Sequence, residues 1–516
     1  MKRLLATMLC LSLFPFTRAF AQEWIKAYGG PYSDFAYNIY PTADGGFITA
    51  GGRATSNQQQ SRKFWVARFD SLGNKRWDST YGASGVQETI FGSGQTRDGG
   101  LIFGGFTGVQ FSGSESALAY KIDSNGREEW HNEVNYSRSD HFHFFVERKE
   151  GGYYFGGHTD SKDDPQGDMW LIRYDSARNV VWEKTYDRGT GEHAHWAIET
   201  RDGGCLLVGH TTINQLEKYW VVKVDSNGTK QWDKTFSSGS TFDDSVYRVF
   251  ETSEGNYAII GGSSSSVTAN VGTIWLLVID TTGTSLINKH FGNATSESFA
   301  WSGRQTSDGG FIVAGYTTYK THGGQDMYVV KTKKDGTLDW EEKIGGTGYD
   351  LAYDVIEVAD GYVACGETGS GTIMTGGGGD MMLVKIKKAI PPPATVVLLT
   401  PLNGSYGLPV TTTLNWNASA SAMTYRLQVA DNNTFTSLII DDSTLTSPTR
   451  TLGPLQTIHR YYWRVQARNP AGTSAWSSIW SFSIGDGSSV DEIPIMQAVQ
   501  LSQNVPNPFS NFSQVR

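Results

Sequence analysis

One short phrase, an acidic residue and glycines followed by apolar residues and a further glycine, comes back seven times along this chain. It begins at Asp44, Asp98, Glu150, Asp202, Glu254, Asp308 and Ala359, at steps of 54, 52, 52, 52, 54 and 51 residues. A near-constant period of this size means stacked supersecondary units, none of which can bury its apolar face alone.

Each repeat reads as four short strands. The first alternates, as in Phe35-Ala36-Tyr37-Asn38-Ile39, and the second follows the Asp-Gly-Gly turn, as in Phe47-Ile48-Thr49-Ala50-Gly51-Gly52. The third is aromatic and apolar, as in Phe64-Trp65-Val66-Ala67-Arg68-Phe69, and a turn such as Asp70-Ser71-Leu72-Gly73-Asn74 leads to a fourth carrying Trp77. Alternation of period two broken by Asp, Asn and Gly turns is the signature of antiparallel hairpins. Four such strands per repeat of about 50 residues make a propeller blade. The expected fold is therefore all-β, a seven-bladed β-propeller over residues 22–388.

Fourth-strand tryptophans stand at Trp77, Trp130, Trp182, Trp232 and Trp340, with Leu286 in the sixth place, and one more at Trp24 before the first complete repeat. The last repeat stops after its third strand, Met381-Met382-Leu383-Val384-Lys385-Ile386. Glu23-Trp24-Ile25-Lys26-Ala27-Tyr28 is thus expected to supply the missing strand, closing the circle without an exposed edge.

Lys2 and Arg3 precede an apolar run from Leu4 to Phe16, and Ala19-Phe20-Ala21 is a small-x-small site. Residues 1–21 read as a signal peptide cleaved near Ala21, so the expected location is secreted or attached to the outer cell surface. The signal carries three basic residues and no acid, so the formal charge of −9 becomes −12 without it. That argues against nucleic acid as a partner, because phosphate contacts need a basic surface. Beyond the signal no stretch approaches the roughly 18 apolar residues of a spanning helix. Cys205 and Cys365 fall in repeats four and seven, which are not neighbours, and read as separate buried thiols.

Pro391-Pro392-Pro393 marks a linker over 389–394. From residue 395 to 485 the period is gone, and Leu414-Asn415-Trp416, Tyr425-Arg426-Leu427-Gln428-Val429 and Tyr461-Tyr462-Trp463-Arg464-Val465-Gln466-Ala467 alternate as strands of a sandwich. This segment resembles a fibronectin type III domain. Trp416 sits where that family has its core tryptophan, and Leu455 followed six residues later by Tyr461 is similar to its tyrosine corner. The resemblance implies a spacer. A second linker covers 486–500. Residues 501–516, with Gln503-Asn504-Val505-Pro506-Asn507-Pro508-Phe509, resemble the start of the C-terminal sorting domain of Bacteroidetes type IX secretion, truncated at Arg516. That implies secretion machinery as a partner.

Paired glycines closing the second strand (Gly51-Gly52, Gly104-Gly105, Gly156-Gly157, Gly261-Gly262), an aromatic third strand, then Asp-x-x-Gly and a tryptophan resemble kelch-type propeller repeats. The resemblance implies architecture and fixes no activity.

Aligning the repeats exposes three sets of positions. Ten residues before the phrase stand Asp34, Glu88, Asp140, Glu192 and Asp244, then Ser298, and Asp350 with one deletion allowed. They are expected to accept hydrogen bonds from turn amides, the alternative being a carboxylate ring that attracts a cation. Seven residues before it stand Tyr37, Phe91, His143, His195, Tyr247, Trp301 and Tyr353, rings that suit packing between blades. The third set breaks the pattern: repeat three carries His141, His143 and His158, and repeat four carries His193, His195 and His210 at matching places. Counting through the hairpin places His143 opposite His158 and His195 opposite His210. These six are the candidate ligands for zinc or copper, with Asp140 and Glu192 near enough to complete or orient the shell. No cofactor is expected elsewhere.

The primary functional expectation is a monomeric, secreted or surface-displayed binding or structural protein with an extracellular glycan or protein as ligand. Its loops at 263–272, 317–325 and 369–379 lie where a partner could be met. The alternative is a metal-dependent hydrolase or oxidoreductase with its site on repeats three and four.

Overall fold

In a computed structural model, described for residues 22–486 apart from 57–61, 84–85, 109–114, 137, 163–166, 240–242, 267–270, 294, 372, 375–377, 389–391 and 470, every regular element is a strand. The signal and sorting segments lie outside the described residues, as do parts of the loops at 263–272 and 369–379. The chain divides into two compact units at residues 388 and 389.

The first unit holds seven four-stranded antiparallel sheets. Sheet one, for example, runs Asp34–Pro41, Phe47–Ala54, Arg62–Phe69 and Lys75–Tyr81 in spatial as in chain order. Sheet seven takes its outer strand from the other end of the chain: Gln22–Tyr28 pairs antiparallel with Asp380–Lys387, Ile25 opposite Val384. The first strands touch one another in succession, and that of sheet seven, Asp350–Val358, touches that of sheet one. A closed ring of repeated four-stranded sheets is a propeller-like arrangement, and it leaves no first strand with an open flank.

The repeated residues explain how sheets lock together. In Asp70-x-x-Gly73 the glycine has φ +76°, a conformation that costs a side chain dearly, and the six-membered ring of Trp24 from the preceding sheet lies where its Cβ would be. Trp77 covers Gly126 and Trp182 covers Gly228 in the same way, and the hydroxyls of Tyr81 and Tyr186 donate to the carbonyls of those glycines at 2.5 and 2.9 Å. In sheet three the turn carries Arg178 at φ +70°, and its guanidinium lies 5.2 Å from the Trp130 ring. The tryptophan-to-turn spacing is thus a fastening between neighbours.

The acid of the opening phrase is fastened as well. Asp98, Asp202, Asp308 and Asp360 pair with the buried ammonium groups of Lys121, Lys223, Lys331 and Lys385 at 2.7–3.0 Å, and Asp44 pairs with Arg68 at 2.8 Å. A buried lysine needs such a partner to stay charged.

The second unit is a two-sheet sandwich. One sheet joins Leu398–Thr400, Thr412–Trp416 and Thr449–Leu452; the other is built round Thr424–Ala430, Arg460–Asn469 and Trp480–Ile484. Trp416, Trp463, Leu427, Val465 and Phe482 are buried between them. The Gln456 amide donates to the Tyr461 hydroxyl at 2.8 Å, and Leu455 packs against the same core.

Candidate functional site

Every first strand contains one irregularity, always at the same repeat position. The ladder skips Tyr37, Phe91, His143, His195, Tyr247, Trp301 and Tyr353 in turn. A bulge leaves its extra residue unpaired and re-aims the side chain. All seven of these rings line one cavity of about 300 Å³, together with Asn38, Trp196 and Arg248. Rings on successive sheets meet there: Phe91 and His143 at 4.5 Å between centroids, His195 and Tyr247 at 4.9 Å, Trp301 and Tyr353 at 4.8 Å, Tyr353 and Tyr37 at 4.8 Å. They join sheet to sheet, as sequence alignment suggested, and in addition they wall a shared cavity.

The turn and the bulge together correct the histidine register. Counting from Thr42 opposite Phe47 places His143 opposite His158; the hairpin instead pairs Pro41 with Phe47, one residue off that count, and the bulge adds a second, so the backbone partners are His141 with His158 and His193 with His210. The side chains nonetheless meet. His143 Nε2 lies 3.2 Å from His158 Nδ1, and His195 Nε2 lies 3.0 Å from His210 Nδ1. The two triplets join through His158 stacked on His193 at 4.2 Å and through His143 beside His195 at 5.5 Å. All six histidines therefore form one cluster on sheets three and four.

Burial, reinforced by neighbouring imidazoles, holds His143, His158 and His195 well below the usual histidine range. Burial likewise takes His141, His193 and His210 down to about 4, against the pull of Glu115 on His141 and of Asp243 on His210. Near neutral pH all six are uncharged, the form in which a ring nitrogen donates to a metal. Ligand nitrogens of His141, His143 and His158 lie within 4.8 Å of one another.

The opposite side of the cavity is built differently. The residue after the bulge is Arg248 in sheet five, Ser302 in six, Asp354 in seven and Asn38 in one. Asp354, fully buried, accepts from the Ser302 hydroxyl at 2.5 Å, from Arg304 at 2.9 Å and from the Ile39 amide at 3.1 Å. Burial alone would raise its carboxyl, but Arg304 and Arg248, with the Ser302 hydroxyl and the Ile39 amide, together hold it below the usual range. Arg248 lies 3.6 Å from the Trp196 ring, and Ser93 donates to Asn38 at 2.9 Å. In sheets three and four the same position holds Phe144 and Trp196, which pack into apolar clusters. Sequence reasoning passed over this column; arginine and aspartate in otherwise apolar first strands were the available signal.

The acids ten residues before the phrase have structural partners. Asp34, Glu88, Glu192, Asp244 and Asp350 accept from the amides of Gly30, Ala83, Arg188, Ser238 and Gly346 at 2.6–3.3 Å, and Asp140 accepts from Ser161 at 2.9 Å. Burial nevertheless raises Asp34 to about 6. Asp168, Asp187 and Glu192 form a second close group, but Glu192 is already occupied by Thr211 at 2.8 Å and by Thr190.

No protein-family model and no curated protein matches the chain. Among solved structures it is similar to a protein of unknown function from Dyadobacter fermentans, at 12% identity over 71% of this chain and 98% of that one, with a TM-score of 0.42. The β-propeller domain of the trilobed protease from Pyrococcus furiosus matches at 9% identity over 70% and 97%, TM-score 0.38. An Fn3-like protein from Clostridium thermocellum matches at 19% identity over 18% and 90%, TM-score 0.15. Likeness of this degree transfers no activity, ligand or partner.

Proposed function

We propose that the chain is a secreted or cell-surface binding protein whose kelch-like, seven-bladed β-propeller presents the ring-walled cavity to an extracellular glycan. In this reading residues 395–485 are a fibronectin type III-like spacer, and the C-terminal segment directs export by a type IX route. One observation carries the binding role: seven bulges, one per sheet, turn seven rings into one cavity. Rings offer flat apolar faces with a polar handle at each tyrosine and tryptophan, which suits a ligand that is apolar on its faces and hydroxylated at its edges, as a sugar is. Arg248, Asn38, His143 and His195, which also line the cavity, add polar groups for orientation.

The test is an array of neutral and acidic oligosaccharides probed with the full chain and with a Trp301→Ala/Tyr353→Ala variant. Binding to one glycan class that is lost in the variant, at unchanged folding, is the expected result. Absence of binding across the array, or binding that survives the double substitution, refutes the glycan reading. The second reading, a metal-dependent hydrolase or oxidoreductase on blades three and four, is favoured only by the histidine cluster.

A further inference from the structure

We propose that His141, His143 and His158 hold one borderline transition-metal ion, zinc or copper, in the wall of the cavity, and that the matching triplet of the next sheet does not.

Packing alone does not account for these imidazoles. Phe91 fills the same bulge in sheet two with a ring of similar size, and it stacks on His143 at 4.5 Å. An imidazole in that place carries two nitrogens that must be satisfied or left costly. The hydrogen bond between His143 Nε2 and His158 Nδ1 uses one nitrogen of each ring. His141 Nε2 is buried with no hydrogen-bond partner, although its ring packs edge-on against His158 at 4.5 Å. A buried, unpaired nitrogen beside two others is what a metal ion would relieve.

The spacing agrees. Tetrahedral bonds of 2.0–2.1 Å put two ligand nitrogens about 3.4 Å apart. The His143 to His158 separation is 3.2 Å, and all three donors lie within 4.8 Å of one another. The longest gap has to close by at most about 1.4 Å, which the broad χ2 freedom of histidine permits. Binding replaces the hydrogen bond between His143 and His158: the ring that donated it carries its proton on its other nitrogen, which leaves both facing nitrogens free to ligate. His143 lines the cavity, so water or a ligand atom reaches the fourth position from there.

The neighbouring triplet differs in two respects. His193, His195 and His210 repeat the 3.0 Å pair, but His210 Nε2 also faces Glu217 at 3.8 Å and the three donors do not gather within the same radius. His193 instead stacks flat on His158 and supports it.

The site is independent of whether the cavity binds glycan, so it is tested on the full chain without ligand and without an affinity tag of histidines. Untreated protein is analysed for metal, then stripped and titrated with zinc and with copper against a competing chelator. X-ray absorption of the loaded protein counts the imidazoles. One equivalent with three imidazole ligands is expected. His143→Phe, which copies sheet two, should keep the folded spectrum and weaken binding by more than the roughly 10–100-fold that loss of a merely supporting partner costs. His158→Gln provides a second variant should the first fail to fold. His195→Phe should change affinity by less than tenfold. Wild-type protein that takes up neither metal, or a His143→Phe or His158→Gln protein that folds and binds as tightly as wild type, overturns the proposal. Equal loss in His195→Phe overturns the assignment to one sheet.

Discussion

Sheets three and four and sheets five, six, seven and one wall the same cavity, and they are built the opposite way round. On the first side imidazoles stand at the bulge and aromatic rings, Phe144 and Trp196, follow them. On the second side Tyr247, Trp301, Tyr353 and Tyr37 stand at the bulge, and charged or polar groups follow, with Asp354 bonded to Ser302 and Arg304. The backbone is common to both, so the difference is chemical. One side offers neutral nitrogen donors over an apolar backing, and the other offers apolar faces over a hydrogen-bonded, charged backing. What is shared between the halves is architecture; what is inverted is where recognition or metal chemistry can reside.

The largest effect belongs to the polar backing. Asp354→Asn leaves Arg304 and Arg248 without their buried counter-charge and should cost about 3–5 kcal/mol, read as a fall in the urea midpoint at unchanged slope. Should His143→Phe cost as much, the contrast between a charged and an uncharged half would be lost. Trp301→Ala comes next. The ring is only partly buried, so a loss of about 2 kcal/mol is expected, below the roughly 3–5 kcal/mol of a fully buried aromatic, accompanied by loss of any glycan binding. His143→Phe should follow at about 1 kcal/mol, chiefly the hydrogen bond to His158, and thermal unfolding of metal-free protein would measure it.

A shared device should not distinguish the halves at all. Asp202, on the histidine side, and Asp308, on the other, both reach a buried lysine while remaining about half exposed. Their neutralisation to Asn should therefore cost only about 1 kcal/mol each, solvent screening included. Burial alone would raise the Asp308 carboxyl, but the Thr306 hydroxyl, Lys331 and the Gly310 amide bring it from 3.8 to about 2. Its folded value is depressed, so its contribution is complete above pH 3.8 and disappears as the pH falls through about 2. Urea unfolding at pH 6 and at pH 2 should show the penalty of Asp308→Asn shrinking; a penalty that differed severalfold from that of Asp202→Asn would give the turns a local role. The smallest effect is on the thiols. Cys205 and Cys365 are buried and free, and burial pushes both up. A thiol reagent should label neither in the native protein, and fast labelling of one would mark its sheet as locally open.

Much of the scaffold was legible before any coordinates. The interval between phrases gives the repeat, the alternation gives its strands, and the absent fourth strand after residue 386 pointed to Glu23–Tyr28, which lies in the strand Gln22–Tyr28 that completes sheet seven. The candidate site was legible only as a pair of anomalous repeats. The counting that placed His143 opposite His158 missed by two residues: the turn pairs Pro41, not Thr42, with Phe47, and a β-bulge adds one residue without any local mark, since tyrosine, phenylalanine, histidine and tryptophan all occupy it. The column behind the bulge went unread for a similar reason, since Asn38, Arg248, Ser302 and Asp354 share no chemistry until the sheets bring them together.

The sequence by itself determined the period, the strand pattern, the turn glycines and the two unusual repeats, because these depend on interactions within about 50 residues of chain. Only the tertiary structure decided that seven bulged rings meet in one cavity, that six histidines from two sheets form one cluster, and that Asp354 lies against Arg304 and the Ile39 amide 315 residues away. Such contacts are set by ring closure, which brings each first strand beside its neighbours, and no local rule of spacing encodes them.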